Sequence, residues 1–151
     1  MAFFTDYTTL QATIADYLAR SDLTTQIPEF IRLAEDRLLR DLRIRQMLKV
    51  ATASTTAGDA TVSLPSDFVA MKDLHLQGNP PQTIKFLSTS NFFRNAHTAV
   101  SGLPNFYTLL GAEFQFAPIP DSVYTLQMVY FYQPEYLSDT NSSNLWLANT
   151  P

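Results

Sequence analysis

The chain contains no cysteine, which excludes disulfides, thiolate nucleophiles and cysteine-ligated zinc together. Only four glycines occur in 151 residues, too few for a phosphate-cradling loop, and the Gly-x-Ser-x-Gly elbow of a hydrolase is missing. The two histidines, His75 and His97, stand far apart, and neither has a second ligand at metal-binding spacing. Charged residues are 16% of the chain, against an ordinary share of about 25%. No apolar run approaches the roughly 18 residues of a membrane span. The first ten residues carry Asp6 and no Lys or Arg, unlike the basic start of a secretory signal. The expectation is a soluble protein made in a cytoplasm, with no cofactor, no metal, no membrane contact and no enzymatic activity.

What charge there is lies unevenly. Residues 1–50 hold seven basic and seven acidic side chains, and all seven basic ones fall between Arg20 and Lys49. Residues 51–151 hold three against seven, too acidic a balance to clamp a phosphate backbone. The nearest approach to paired catalytic carboxylates is Glu35-Asp36 and the Glu113/Asp121 pair. Glu35-Asp36 falls within a charged helix face where ion pairing accounts for it, and nothing marks an apolar pocket that would split two carboxyl pKa values for acid–base work. The sequon Asn141-Ser142-Ser143 has no secretory context to give it meaning.

What the chain has in plenty is apolar patterning, 46% of residues with 13% aromatic. Thr8 and Gln11 fit a capping box, and Leu10, Ile14, Tyr17 and Leu18 follow at helical spacing, predicting a helix over 8–19. A second helix starts near Thr24 or Thr25 with Pro28 in its first turn. Ile27, Ile31, Ala34, Leu38 and Leu42 make its apolar face. Glu29, Arg32, Asp36, Arg37, Arg40 and Arg43 make the other, with Arg32–Asp36 and Asp36–Arg40 at pairing distance along the helix. Such a face is either simply solvated or a ridge turned to a partner. After Arg43 the period becomes two. Strands are expected around Leu48–Val50, Ala60–Leu64, Leu74–Leu76 and Ile84–Phe86, separated by turns at 55–59, 65–67 and Gly78-Asn79-Pro80-Pro81. Ser88 or Ser90 caps a short helix with Phe92, Phe93 and Ala96 on one side. Gly111 supplies the positive φ of a two-residue hairpin ahead of Phe114 and Phe116. A strand over 123–133 is apolar on both faces, hence central. The fold class is α+β: two N-terminal helices followed by an antiparallel β-sandwich or barrel-like core with one inserted short helix. The chain reads as one domain over 1–151: a helical hairpin over 1–44, a β core over 45–137 with its helix near 88–99, and a tail over 138–151.

Several pieces, in a shared order, resemble a known family. Ala34-Glu35-Asp36-Arg37-Leu38-Leu39-Arg40-Asp41-Leu42-Arg43 is similar to the second helix of phage head-to-tail adaptors related to the tail tubular protein A of short-tailed phages. Leu64-Pro65-Ser66-Asp67-Phe68 resembles their lead into a strand. Tyr107 through Gly111 followed by Phe114-Gln115-Phe116-Ala117-Pro118-Ile119-Pro120 resembles their aromatic hairpin and Pro-x-Pro segment. Tyr130-Phe131-Tyr132, Leu137-Ser138 and Asn144-Leu145-Trp146-Leu147 resemble the stretch before their C-terminal helices.

The resemblance implies a virion protein assembled in the bacterial cytoplasm, non-enzymatic, with no cofactor. It implies a homo-oligomeric ring, usually dodecameric, between the portal protein and the tail nozzle or tail tube protein, with DNA passing through a central channel unbound. Arginine suits interface ion pairs because its planar fork pairs bidentately, so Arg32, Arg37, Arg40 and Arg43 are the candidate interface residues, joined by Leu145 and Trp146. The rival reading is a carbohydrate- or receptor-binding β module of a virion, with Tyr124, Tyr130, Phe131, Tyr132, Tyr136 and Trp146 as stacking surfaces. Asn149-Thr150-Pro151 has the form of a helix start. It carries the expectation that Leu145, Trp146 and Leu147 pack on the β core and orient a portal-docking helix beyond Pro151.

Overall fold

The computed structural model describes residues 5–96 and 98–148; His97 and the Asn149-Thr150-Pro151 signal lie outside them. The chain divides into two compact units, one of residues 1–47 with 133–151 and one of residues 48–132.

The first unit holds helix α1 (Tyr7–Leu18), helix α2 (Ile27–Asp41), and the C-terminal segment with a single turn, α4 (Leu145–Ala148). The cap of α1 is not Thr8. Asp6 accepts from the Thr9 backbone N–H at 2.8 Å, and the Thr9 hydroxyl oxygen accepts from the Asp6 N–H at 3.1 Å, closing a capping box two residues earlier. Pro28 sits in the first turn of α2 as expected. Tyr7, Ile27, Ile31, Leu137 and Leu147 form the core of this unit, with Leu10, Ile14, Ala15 and Leu23 packed against it. Leu147 thus packs in the helical core, which corrects the expectation that it docks on the strands.

The second unit holds strands β1 (Leu48–Ser54), β2 (Thr61–Ser63), β3 (Phe68–Leu76), β4 (Gln82–Thr83) and β5 (Lys85–Phe86), helix α3 (Thr89–Asn95), then β6 (Ser101–Gly102), β7 (Phe106–Leu110), β8 (Glu113–Ala117), β9 (Ile119–Pro120) and β10 (Thr125–Tyr132). They form sheets of order β1-β10-β3-β4 and β2-β8-β7-β5 and a small β6-β9 pair. The expected central strand is β10, hydrogen-bonded on both sides. The expected hairpin joins β7 to β8 through Gly111 at φ 61°, where the missing Cβ makes the left-handed conformation cheap. Leu74, Leu76, Leu126, Met128 and Tyr130 from the first sheet meet Tyr107, Phe114 and Phe116 from the second in one core, the shared interior expected of a two-sheet arrangement. Two short pairings, β5 with β7 and β6 with β9, are parallel, which residue alternation does not reveal.

Some faces differ from those expected. In β1 the residues packed on the core are Ala51 and Ala53, while Val50 is 57% exposed. In α3, Phe92 is fully buried and Phe93 exposed, because neighbouring helical residues point about 100° apart.

Candidate functional site

The residues of interest lie on α2. Its buried side chains are Ile27, Ile31 and Glu35; of the expected face of Ile27, Ile31, Ala34, Leu38 and Leu42, the last three are exposed. Leu38 is 36% exposed, Phe30 49% and Leu33 64%, with Leu42 beside them also exposed. The helix therefore buries a carboxylate and shows leucines.

Glu35 is 4% exposed and has partners that sequence reading missed. Asn144 Nδ2 donates to Oε1 at 2.6 Å, and the Leu137 backbone N–H donates to both oxygens at 3.2 and 3.3 Å. Burial pushes its carboxyl pKa above the ordinary value, against the lowering pull of those donors and of nearby Arg32. The carboxylate thus ties the segment after residue 133 to the middle of α2. Around it, Tyr136 donates its hydroxyl to Asp36 Oδ1 at 2.6 Å, and the Arg32 guanidinium lies 3.1 Å from the Tyr136 ring centroid. Asn141 Nδ2 donates to the Tyr136 carbonyl at 3.0 Å, and the Tyr7 N–H donates to the Ser142 carbonyl at 2.7 Å. The sequon asparagine therefore has a structural task. The one sequence signal for this cluster is the polar, hydrogen-bonding composition of 133–144, which reads equally as a loose tail.

The candidate arginines divide. Arg32 is stacked on Tyr136. Arg40 Nε donates to the Asp36 carbonyl at 3.3 Å, and Arg43 donates to the carbonyls of Leu39 and Leu42, where cations complement the helix C-terminus. Arg37, largely exposed, pairs with Asp41 at 3.6 Å. The pairs Arg32–Asp36 and Asp36–Arg40 expected from spacing are not among the side-chain ion pairs of the described residues; the Asp36 carboxylate takes the tyrosine hydroxyl instead.

Between α1, α2 and the C-terminal segment lies an apolar cavity of about 320 Å³, lined by Leu10, Ile14, Phe30, Ala34, Leu38 and Trp146, with Glu35 in its wall. Trp146 is thus brought to the helices, its backbone N–H held by Asn144 Oδ1 at 3.1 Å, and Leu145 lies in the same short turn. An apolar opening flanked by exposed Phe30, Leu33 and Leu38 is the form of a surface that another protein covers.

Elsewhere, the Leu-Pro-Ser-Asp-Phe segment has a structural purpose. Asp67 receives Lys49 Nζ at 2.6 Å and the Tyr130 hydroxyl at 2.8 Å. His75 Nδ1 lies 3.1 Å from Asp73 Oδ2. Among the described residues no group of three or more His, Asp or Glu side chains could hold a metal, and no helix is long and apolar enough to cross a membrane. The six aromatics named above as stacking surfaces are buried or half-buried.

No curated protein matches the chain. Residues 5–151 match the family described as SU10 adaptor protein, which spans both units. The chain belongs to the SU10 adaptor protein family and is, on that membership, a structural adaptor of a bacteriophage particle.

Proposed function

We propose that this adaptor sits between head and tail as a ring, in the manner of the tail tubular protein A proteins its sequence resembles, with the portal protein on one side and the tail nozzle or tube protein on the other. The observation that carries the reading is the apolar cavity of the helical unit, walled by Phe30, Leu38 and Trp146 and left open among the described residues. An adaptor works by contact, and contact surfaces concentrate aromatic and apolar anchors within a polar rim. Here Phe30, Leu38 and Trp146 are the anchors, with Leu145 beside them. Arg37, with Arg32 and Arg40 along the same helix and Arg43 just past its end, supplies the rim.

The role requires no catalysis. A net charge of −4 per copy, repeated around a ring, repels a DNA backbone and lets it pass through a channel without adhering. The sugar-binding alternative gains no support from aromatics that are buried or half-buried.

Binding to the immobilised portal protein of the same phage tests the reading. The wild-type chain is expected to bind. Phe30→Asp with Leu38→Asp is expected to abolish binding while the circular dichroism spectrum is retained. Undiminished binding by a folded double variant would remove the cavity from the interface.

A further inference from the structure

Glu35 stands in the wall of the apolar cavity with no charge to balance it. Its hydrogen bonds come from neutral donors, the Leu137 backbone N–H at 3.2 and 3.3 Å and the Asn144 amide at 2.6 Å. Among the described residues it takes part in no ion pair. Arg32, one helical turn earlier, pulls on it electrostatically, but the Arg32 guanidinium lies over the Tyr136 ring. Its neighbour Asp36 is a like charge and opposes its ionisation. A buried carboxylate is costly unless both hydrogen bonds and a cation compensate it. At Glu35 the fold supplies the hydrogen bonds and leaves the cation out, and burial holds the carboxyl pKa above its ordinary value.

The rest of the wall is apolar, from Leu10 and Ile14 on one helix to Phe30 and Leu38 on the other and Trp146 in the C-terminal turn. Every residue of the wall belongs to the helical unit, so the site requires nothing from the β unit. A space of about 320 Å³ with apolar sides and one carboxylate suits a side chain of matching build, an apolar stem ending in a positive head. Lysine and arginine have that build. A wholly apolar anchor would leave the carboxylate uncompensated, and an acidic one would set like charges together.

We infer that the cavity takes a cationic side chain, a lysine or arginine of the portal protein, with its stem against Phe30, Leu38 and Trp146 and its head on the Glu35 carboxylate. The partner's identity rests on the adaptor reading above; the chemistry of the site does not. Such a pair is charge-assisted, and it forms where little water competes for either charge. It also gives specificity, since a partner without the cation meets the uncompensated carboxylate. Each copy carries one such site, so the contact repeats around a ring of like-oriented copies.

Three probes of one shape test the site: benzylammonium, benzyl alcohol and benzoate. Trp146 is the single tryptophan of the chain, so its fluorescence reports on the cavity wall. Benzylammonium is expected to bind the wild type about tenfold or more tightly than benzyl alcohol, the ordinary advantage of a charge-assisted pair. Glu35→Gln keeps the length of the side chain and removes its charge, and is expected to bind the cation and the alcohol alike. Ala34→Trp, which fills the cavity from an exposed position, is expected to bind none of the three. A wild type that binds the three alike, or prefers the alcohol or benzoate, would overturn the inference, and that comparison requires no substitution. A preference for the cation that survives in folded Glu35→Gln or Ala34→Trp would overturn it too, as general attraction to a chain of net charge −4. The probes require no portal protein. A chain that prefers the cation yet ignores the portal would strike the adaptor reading and keep the site; one that binds the portal yet shows no preference would strike the site alone.

Discussion

The guanidinium of Arg32 lies over the ring of Tyr136, 3.1 Å from its centroid. One residue comes from the second helix and the other from the segment after residue 133. The same tyrosine donates its hydroxyl to Asp36 at 2.6 Å. Two adjacent positions of one helical ridge therefore hold a stretch of chain a hundred residues away. Tyr136→Phe should cost about 1 kcal/mol, the ordinary contribution of one hydrogen bond. Tyr136→Ala, which also removes the cation–π contact, should cost a further 0.5–1 kcal/mol or so. Urea denaturation of the two variants measures both; equal midpoints would show the stacking to be inert.

Glu35 gives a pH dependence of stability with a definite sign. Burial raises its carboxyl pKa in the folded state. The folded state therefore favours the protonated form. Its contribution to stability is fully present below the unfolded-state pKa and is lost as pH rises through the higher folded value. Glu35→Gln removes that titration. The stability of Glu35→Gln relative to wild type should rise with pH across this window and level off above it. Denaturation midpoints of both proteins, taken pH by pH, check this; a difference that is flat or falls with pH would contradict it.

At the alkaline end the marker is Tyr130. Burial and the hydrogen bond to Asp67 push its phenol up to about 12. The stability it confers is present below the ordinary phenol range and lost as pH rises through that value. Absorbance titrations of the wild type and of Tyr130→Phe should differ by one late-titrating tyrosine, and Asp67→Asn should bring that titration downward. Unchanged titration in the variant would mean burial alone sets the value.

Much of this architecture is written in alternation and spacing. The central strand β10 shows as a run apolar on both faces, and the β7–β8 hairpin shows through Gly111. Pro28 marks the start of α2. Less of the site is legible. Helical periodicity assigns Leu38 inward and Glu35 outward, because it weighs side-chain polarity alone. The buried donors that make Glu35 tolerable, Asn144 and the Leu137 N–H, lie more than a hundred residues away and leave no local pattern. For the same reason Arg32 reads as a free cation, although Tyr136 covers it.

That exchange of Leu38 for Glu35 changes what substitution on α2 does. A stripe running through Leu38 would make Leu38→Asp ruinous. At 36% exposure, on the cavity wall, it should cost no more than about 1–2 kcal/mol and leave the helical unit folded. Ile31→Asp, within the core cluster, leaves a buried carboxylate without a counter-charge and should unfold the unit. Thermal melts of the two variants distinguish the cases. Unfolding by Leu38→Asp would mean that Leu38 belongs to the core.

The central claim is that this adaptor joins other virion proteins through the cavity of its helical unit. Electron microscopy of the chain bound to the portal protein of the same phage tests that most directly. The account predicts a ring of copies seated on the portal, with Phe30, Leu38 and Trp146 covered by a neighbouring protein. A chain that forms no complex with the portal would contradict it, as would a ring in which the cavity stays open to solvent.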